Sequence, residues 1–299
     1  MGAPITEGQY ASLPNSIRLH YASAGEKGRP LLLFVHGFPE FWFEWEAQLS
    51  EFGNDWYAVA PDLRGYNLSD IPREVSAYKA KHLIEDLQQL IAHLGYERCV
   101  MVAHDWGGAV AWSLAIAAPA RLHKLVIINS PHPYLFARDL SNDPEQQAAS
   151  QYMNWLRKEG SEDALAKDDF ARIEALLTNM GVSATPWFTP EVRAKYRSCW
   201  ARGLAGGVNY YRASPLYPPL HDDPGARRLR LDPKDFRVHV PTLVIWGERD
   251  LALRTSLLDG LSDFVHDLTV ERIADGTHWV IHEQPERVNR LLRAFLSSA

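Results

Sequence analysis

The chain has 299 residues, 46% hydrophobic and 23% charged, with 31 basic and 37 acidic side chains and a formal net charge of −6. Such a chain is long enough for one large α/β domain or a domain carrying an insertion, with the composition of a globular protein. The acidic balance, without a long basic run, argues against nucleic acid or an anionic membrane as partner. Two distant cysteines, Cys99 and Cys199, make no disulfide framework and fit a reducing compartment.

The first residues show no basic stretch followed by an apolar one, so no signal peptide is expected and the expected location is cytoplasmic. Met1-Gly2-Ala3-Pro4-Ile5-Thr6 matches a loose myristoylation pattern, and chance explains so short a match better. The uncharged, apolar stretch from Trp106 to Ala120 is too short to span a bilayer and is bracketed by Asp105 and Arg121.

Ile17 to Ala22 alternates and predicts an early strand. Leu31 to Val35 is a continuous apolar run, as expected of a strand covered on both faces. His36-Gly37-Phe38-Pro39-Glu40 reads as a turn, followed by an aromatic amphipathic helix from Phe41 to about Phe52 and a strand from Trp56 to Ala60. Leu83, Ile84, Leu87, Leu90, Ile91 and Leu94 repeat at helical spacing, and Gly95 ends that helix.

Cys99 to Val102 is β-branched and apolar, Gly108 to Ala117 reads as an apolar helix, and Leu125 to Ile128 as the next strand. Apolar runs alternating with helices predict a mostly parallel sheet with helices on both faces.

From about Pro133 to Leu231 the alternation stops. The stretch is helical in character and rich in aromatics, Trp155, Trp187, Phe188, Trp200, Tyr210, Tyr211 and Tyr217 among them. Strands resume at Thr242 to Trp246 and, more weakly, Leu268 to Ile273, before a helix from Pro285 to Phe295. A helical insertion between sheet strands predicts a lid over the strand ends, where ligands bind in open parallel sheets. The expected division is residues 1–134 and 226–299 for the core and 135–225 for the lid, with no internal repeat.

The most informative residues are Ala103-His104-Asp105-Trp106-Gly107, between the Cys99 strand and the Gly108 helix. Small–x–acid–x–small at a strand-to-helix turn is the layout of a nucleophile elbow, with aspartate where serine is usual. A carboxylate suits displacement at a saturated carbon, because the resulting ester can still be hydrolysed whereas a serine ether could not. An acid there also suits a helix N-cap, the plainer reading of the local pattern.

An attacking carboxylate needs helpers. His278, in Asp275-Gly276-Thr277-His278-Trp279 after the last strand, is the candidate base; Asp250, in Gly247-Glu248-Arg249-Asp250 after the Leu243 strand, is the acid to orient it. The order nucleophile, acid, histidine is that of hydrolases on this architecture. Unlike a serine hydroxyl, a carboxylate at position 105 needs no base in order to attack. Backbone N–H groups of Trp106 and Phe38 are the candidate oxyanion hole, each such donor being worth about 3 kcal/mol in the transition state. The side chains of Trp106, Phe38 and His132 are candidates to line the substrate pocket. His36 and His104 are expected to brace backbone. No histidine–carboxylate spacing resembles a metal site, and no cofactor is implied.

These residues resemble the α/β-hydrolase superfamily and, more narrowly, soluble epoxide hydrolases over nearly the whole chain. The markers are His36-Gly37-Phe38-Pro39-Glu40, Pro61-Asp62-Leu63-Arg64-Gly65-Tyr66, His104-Asp105-Trp106-Gly107-Gly108, Gly247-Glu248-Arg249-Asp250 and Gly276-Thr277-His278-Trp279. The resemblance implies an α/β-hydrolase fold, a mostly parallel eight-stranded sheet flanked by helices with an inserted helical lid.

It also implies conversion of apolar epoxides and water to vicinal diols through an aspartyl ester, with two lid tyrosines donating to the epoxide oxygen. Ser150-Gln151-Tyr152-Met153 and Gly207-Val208-Asn209-Tyr210-Tyr211-Arg212 match those sites, assigning Tyr152 and Tyr211, with Tyr210 the adjacent alternative.

Haloalkane and haloacetate dehalogenases share the aspartate nucleophile and are the alternative. Haloacetate dehalogenases carry arginines where this chain has Trp106 and Ala109, and place the triad acid after the strand that ends here at Asn129, so both departures favour epoxides. A hydrolase-fold receptor without turnover is the remote third reading. The substrate's identity and any homo-oligomer are left open.

Overall fold

The apolar runs become the buried centre of one eight-stranded sheet. A computed structural model describes residues 2–179 and 186–297, the side chain of Asn179 excepted. Its strands are β1 (Ile5–Ser12), β2 (Arg18–Ala24), β3 (Leu31–Val35), β4 (Tyr57–Pro61), β5 (Cys99–His104), β6 (Leu122–Ile128), β7 (Thr242–Gly247) and β8 (Leu268–Ile273). They lie in the order β1-β2-β4-β3-β5-β6-β7-β8. β2 pairs antiparallel with β1 and β4, and the remaining pairs are parallel.

Strands β3, β4, β5 and β7 are buried at every residue, which is why they read as unbroken apolar runs. The edge strand β1 gives no such signal: five of its eight residues are exposed, and its register with β2 shifts between Thr6 and Gln9. Its existence was not legible from the pattern.

Around the sheet stand α1 (Glu46–Phe52), α2 (Ala80–His93) and α3 (Asp105–Ala117). Between β6 and β7 come α4 (Pro133–Asn142), α5 (Pro144–Ala149), α6 (Gln151–Leu156), α7 (Ser161–Asn179), α8 (Pro190–Trp200) and α9 (Ala205–Ala213). After β8, α10 (Val280–Glu283) and α11 (Pro285–Ser297) close the fold. Among the described residues no helix is long and apolar enough to cross a membrane.

The helix expected over Phe41 to Phe52 is two pieces, a 3-10 turn over Trp42–Trp45 and then α1. All four residues of the turn are buried, Glu44 included. Aromatics at three of its four positions need cover on all sides. They find it partly on the inserted helices, as Phe41 and Phe43 do against the ring of Tyr196 on α8.

The inserted helices are seated by capping and close backbone contact. Thr189 accepts from Val192 N at the start of α8, with Pro190 in the first turn. On α9, a Cβ added to Gly206 would stand 2.1 Å from the main-chain oxygen of Gly65, so only glycine lets this helix approach so near. That contact brings the Tyr210–Tyr211 pair over the carboxyl ends of the central strands.

Candidate active site

β5 passes directly into α3, and the residue at the junction is Asp105, with φ +48°. An L-residue enters this left-handed region only where its surroundings hold it there. Gly107 makes room for the turn: a Cβ there would lie 2.3 Å from the main-chain oxygen of Val35. Ser130 Oγ donates to the main-chain oxygen of Asp105 at 2.7 Å and braces the turn from the end of β6.

β3 and β5 are neighbours whose connections leave in opposite directions across the sheet, so a crevice opens beyond their carboxyl ends. Phe38 follows β3 and Asp105 follows β5, and Phe38 N donates to Asp105 Oδ1 at 2.8 Å. Trp106 N lies in the first turn of α3, where N–H groups have no intrahelical acceptor. A carbonyl oxygen formed at Oδ1 would meet donors already in place.

The other carboxylate oxygen, Asp105 Oδ2, is 3.6 Å from His278 Nε2. His278 Nδ1 is 2.7 Å from Asp250 Oδ2. Asp250 is held in turn: Oδ1 accepts from Ala252 N at 2.8 Å and Leu253 N at 2.9 Å, and Oδ2 accepts from Asn129 Nδ2 at 2.8 Å. Asn129 is fully buried with φ +39° and also accepts from Gly247 N, so it ties the ends of β6 and β7 around the acid. Sequence reasoning noted Asn129 only for the acid missing there. Its position just past an apolar strand, at the same depth as Asp105, was the available signal.

The electrostatics follow from burial among charges. Burial alone would lower the pKa of His278, but the charge and hydrogen bond of Asp250 and the charge of Asp105 outweigh it and bring it up to about 9. Burial would raise Asp250, but His278 outweighs that and holds it below the usual carboxylate range.

Two cavities meet over Asp105. One, about 980 Å³ including its opening to solvent, is walled largely by apolar side chains such as Trp106, Phe136, Met153 and Leu216. The other, about 300 Å³, lies among Phe38, Leu156, Leu176, His278 and Trp279. Three residues line both: Asp105, Tyr152 and Tyr211. No lysine or arginine lines either among the described residues.

Tyr211 lies edge-on to Trp106, with centroids 5.0 Å apart, and 6.1 Å from the ring of Tyr152. Burial, and then nearby charge including that of Asp105, push both phenols far above their ordinary pKa, so each keeps its proton. Tyr210 also borders the large cavity, but its hydroxyl donates to the main-chain oxygen of Arg64 at 2.9 Å.

His132 is not brought to the site. It lines neither cavity, although its neighbours Pro131 and Pro133 border the larger one. Its Nε2 is 2.9 Å from the main-chain oxygen of Phe236, its ring lies 4.9 Å from that of Phe264, and burial pushes its pKa down to about 4. The pocket expectation for His132 is therefore corrected: α4 begins at Pro133 and directs that ring under the helix, into an aromatic cluster. His36 does brace backbone, its Nε2 accepting from Leu63 N at 3.0 Å.

A sheet of this order with a sharp strand-to-helix turn at its centre is the frame of one large class of enzymes. The family model described as the alpha/beta hydrolase fold matches residues 30–285, and the chain belongs to that family. Within it, the chain's place is among the epoxide hydrolases. It is 35% identical over 291 residues to epoxide hydrolase 4 of Mus musculus, covering 94% of this chain and 77% of that one.

The crystal structure of Bacillus megaterium epoxide hydrolase with an inhibitor matches at a TM-score of 0.89 and 36% identity, covering 97% of this chain and 100% of that one. A single-residue variant of that enzyme, complexed with its product (R)-3-[1]naphthyloxy-propane-1,2-diol, matches equally well.

Proposed function

We propose that this protein hydrolyses epoxides to vicinal diols through a covalent ester on Asp105. The observation that carries the reading is that Asp105, Tyr152 and Tyr211 are the residues shared by both cavities. A carboxylate and two protonated phenols meet where the cavities join, which is where a three-membered ring with a substituent on one side would sit.

In the first step Asp105 Oδ2 forms a bond to an epoxide carbon while the ring C–O bond breaks. The ring oxygen takes a proton from Tyr152 or Tyr211. Oδ1, already accepting from Phe38 N, becomes the ester carbonyl. In the second step water adds to the acyl carbon of Asp105 and gives its proton to His278 Nε2. The tetrahedral oxyanion develops at Oδ1, beside Phe38 N and Trp106 N. Collapse releases the diol's oxygen, which takes the proton held by His278, and the second proton of the added water passes from the re-formed Asp105 acid to the tyrosine that donated first.

The charge balance supports the order of steps. Before the reaction, the charge of Asp105 helps keep His278 protonated. Esterification removes that charge, so His278 gives its proton up to solvent and is a free base when water has to be activated, taking one back once the Asp105 carboxylate is restored.

The inserted helices act as the lid. The large, mainly apolar cavity without a cation suits a bulky neutral substituent and gives no partner to a haloacetate carboxylate. A panel assay of the purified protein, measuring diol formation from styrene oxide and aryl glycidyl ethers beside halide release from haloalkanes and haloacetates, tests the reading. Diol formation without halide release is expected. Halide release without diol formation would replace the reading with dehalogenation.

A further inference from the structure

Glu44 takes no part in the reaction proposed above, yet its side chain is buried against the segment that carries the nucleophile. His104, the residue before Asp105, places Nε2 3.0 Å from the main-chain oxygen of His278. A carbonyl only accepts, so Nε2 bears the hydrogen, and in a neutral imidazole Nδ1 is then a bare acceptor. Facing it at 2.5 Å is Glu44 Oε1, and neither atom has another hydrogen-bond partner. Two lone pairs cannot face each other at that distance, so one proton lies between them.

The surroundings decide which partner owns that proton. The titratable groups facing the pair are His36 and Glu40 from the turn after β3, Asp105 from α3, and His278 and His282 from the segment after β8. Burial first, then the acids Glu40 and Asp105, push the Glu44 carboxyl well above its ordinary range. Burial and the neighbouring His278 bring His104 down to about 3. The proton stays on the carboxyl group and the ring stays neutral. The second carboxyl oxygen, Oε2, accepts from Gly37 N at 3.2 Å, one residue before the oxyanion donor Phe38.

We propose that Glu44 is a positioning residue that works as a neutral carboxylic acid. It donates to His104 Nδ1, fixes the tautomer whose Nε2–H holds the main chain of His278, and accepts from the turn that carries Phe38. One side chain thus joins the turn after β3 to the end of β5 and, through His104, to the segment after β8. The proton arrangement stands on geometry alone, and its kinetic consequence rests on the function proposed above. Ester hydrolysis depends on where His278 stands relative to the acyl carbon, whereas ring opening does not use His278. Loss of Glu44 therefore falls on the second step.

Two measurements test this. In protein labelled with ¹⁵N-histidine, His104 should be a neutral ring protonated on Nε2 alone from pH 6 to 9. Its signal is assigned by its absence from H104Q or, should that variant not fold, by its shift in E44Q. A ring protonated on both nitrogens would mean a Glu44 carboxylate and overturn the proposal.

In single-turnover kinetics on styrene oxide, Glu44→Gln keeps a donor and an acceptor in place and should keep both steps near the wild-type rates. Glu44→Ala should alkylate at near the wild-type rate and hydrolyse its ester about 10–100-fold more slowly, the usual cost of losing an orienting partner. E44Q as slow as E44A, or E44A with unimpaired ester hydrolysis, would overturn it. Should E44A not fold, E44Q and the ring spectrum decide. If the wild-type protein opened no epoxide, the proposed function would fall while the spectrum still judged the proton arrangement.

Discussion

The hydroxyl of Tyr210 donates to the main-chain oxygen of Arg64, while its neighbour Tyr211 lines both cavities over Asp105. One step along a helix turns a side chain by about 100°, and that rotation separates two chemically identical residues. Tyr211→Phe and Tyr152→Phe should each slow ester formation on epoxides, general acid catalysis being worth about 10²–10⁴-fold. Tyr210→Phe should lower stability by about 1 kcal/mol through its lost hydrogen bond and leave ester formation near the wild-type rate. Single-turnover alkylation and thermal unfolding of the three variants distinguish these effects, and a dead Y210F beside an active Y211F would reverse the assignment.

In the proposed mechanism, replacing His278 with glutamine removes the base while leaving Asp105, the two phenols and the N–H groups of Phe38 and Trp106 in place. The ester should then form and persist. Intact-mass analysis after incubation with styrene oxide should find the protein heavier by one substrate, with the adduct on the peptide carrying Asp105. Turnover by the wild type with no adduct on H278Q would remove the covalent step.

The charge of Asp105 is one reason that the pKa of His278 is raised to about 9. Asp105→Asn deletes that charge and leaves the pair with Asp250. The pKa of His278, followed by NMR in labelled protein, should therefore drop below that of the wild type. An unchanged value would mean that Asp105 and His278 are not electrostatically linked at their 3.6 Å separation.

Stability should fall on both sides of neutrality. His132 has a folded pKa of about 4 and His104 of about 3, both below the ordinary 6.5. As pH drops below 6.5 the unfolded chain binds protons first, so their contribution is complete above 6.5 and is lost on acidification toward those values. His278, raised to about 9, acts with the opposite sign: its contribution is complete below 6.5 and is lost as pH rises through 9. Urea unfolding across pH 4–9 should give a maximum near 6.5. His132→Phe should lose about 1 kcal/mol at neutral pH with its bond to Phe236 and flatten the acid limb. An unchanged acid slope in that variant would show that His132 does not titrate with unfolding.

What could be read before folding was local. The turn after β3, the elbow after β5, the acid after β7 and the histidine after β8 each occupy about five residues beside a strong apolar run. Each sits where a strand ends in a turn, and strands and tight turns are set by short-range backbone geometry. Asn129 and Glu44 escaped because their meaning lies in partners far along the chain. Asn129 meets an acid 121 residues away, and Glu44 reaches His104 from within a turn that reads as the apolar face of a helix. His132 was located correctly after its strand and directed wrongly, since the choice between the pocket and the Phe236–Phe264 cluster belongs to α4 and its neighbours.

The amino-acid order by itself determined the architecture and the three residues at the strand ends, because strand periodicity and tight turns are short-range properties of the backbone. Only the tertiary structure decided which of two adjacent tyrosines lines both cavities over Asp105, which histidine is turned away, and that Glu44 meets His104. Those outcomes depend on helix rotation, burial and the proximity of distant charges, which arise when the inserted helices close over the sheet.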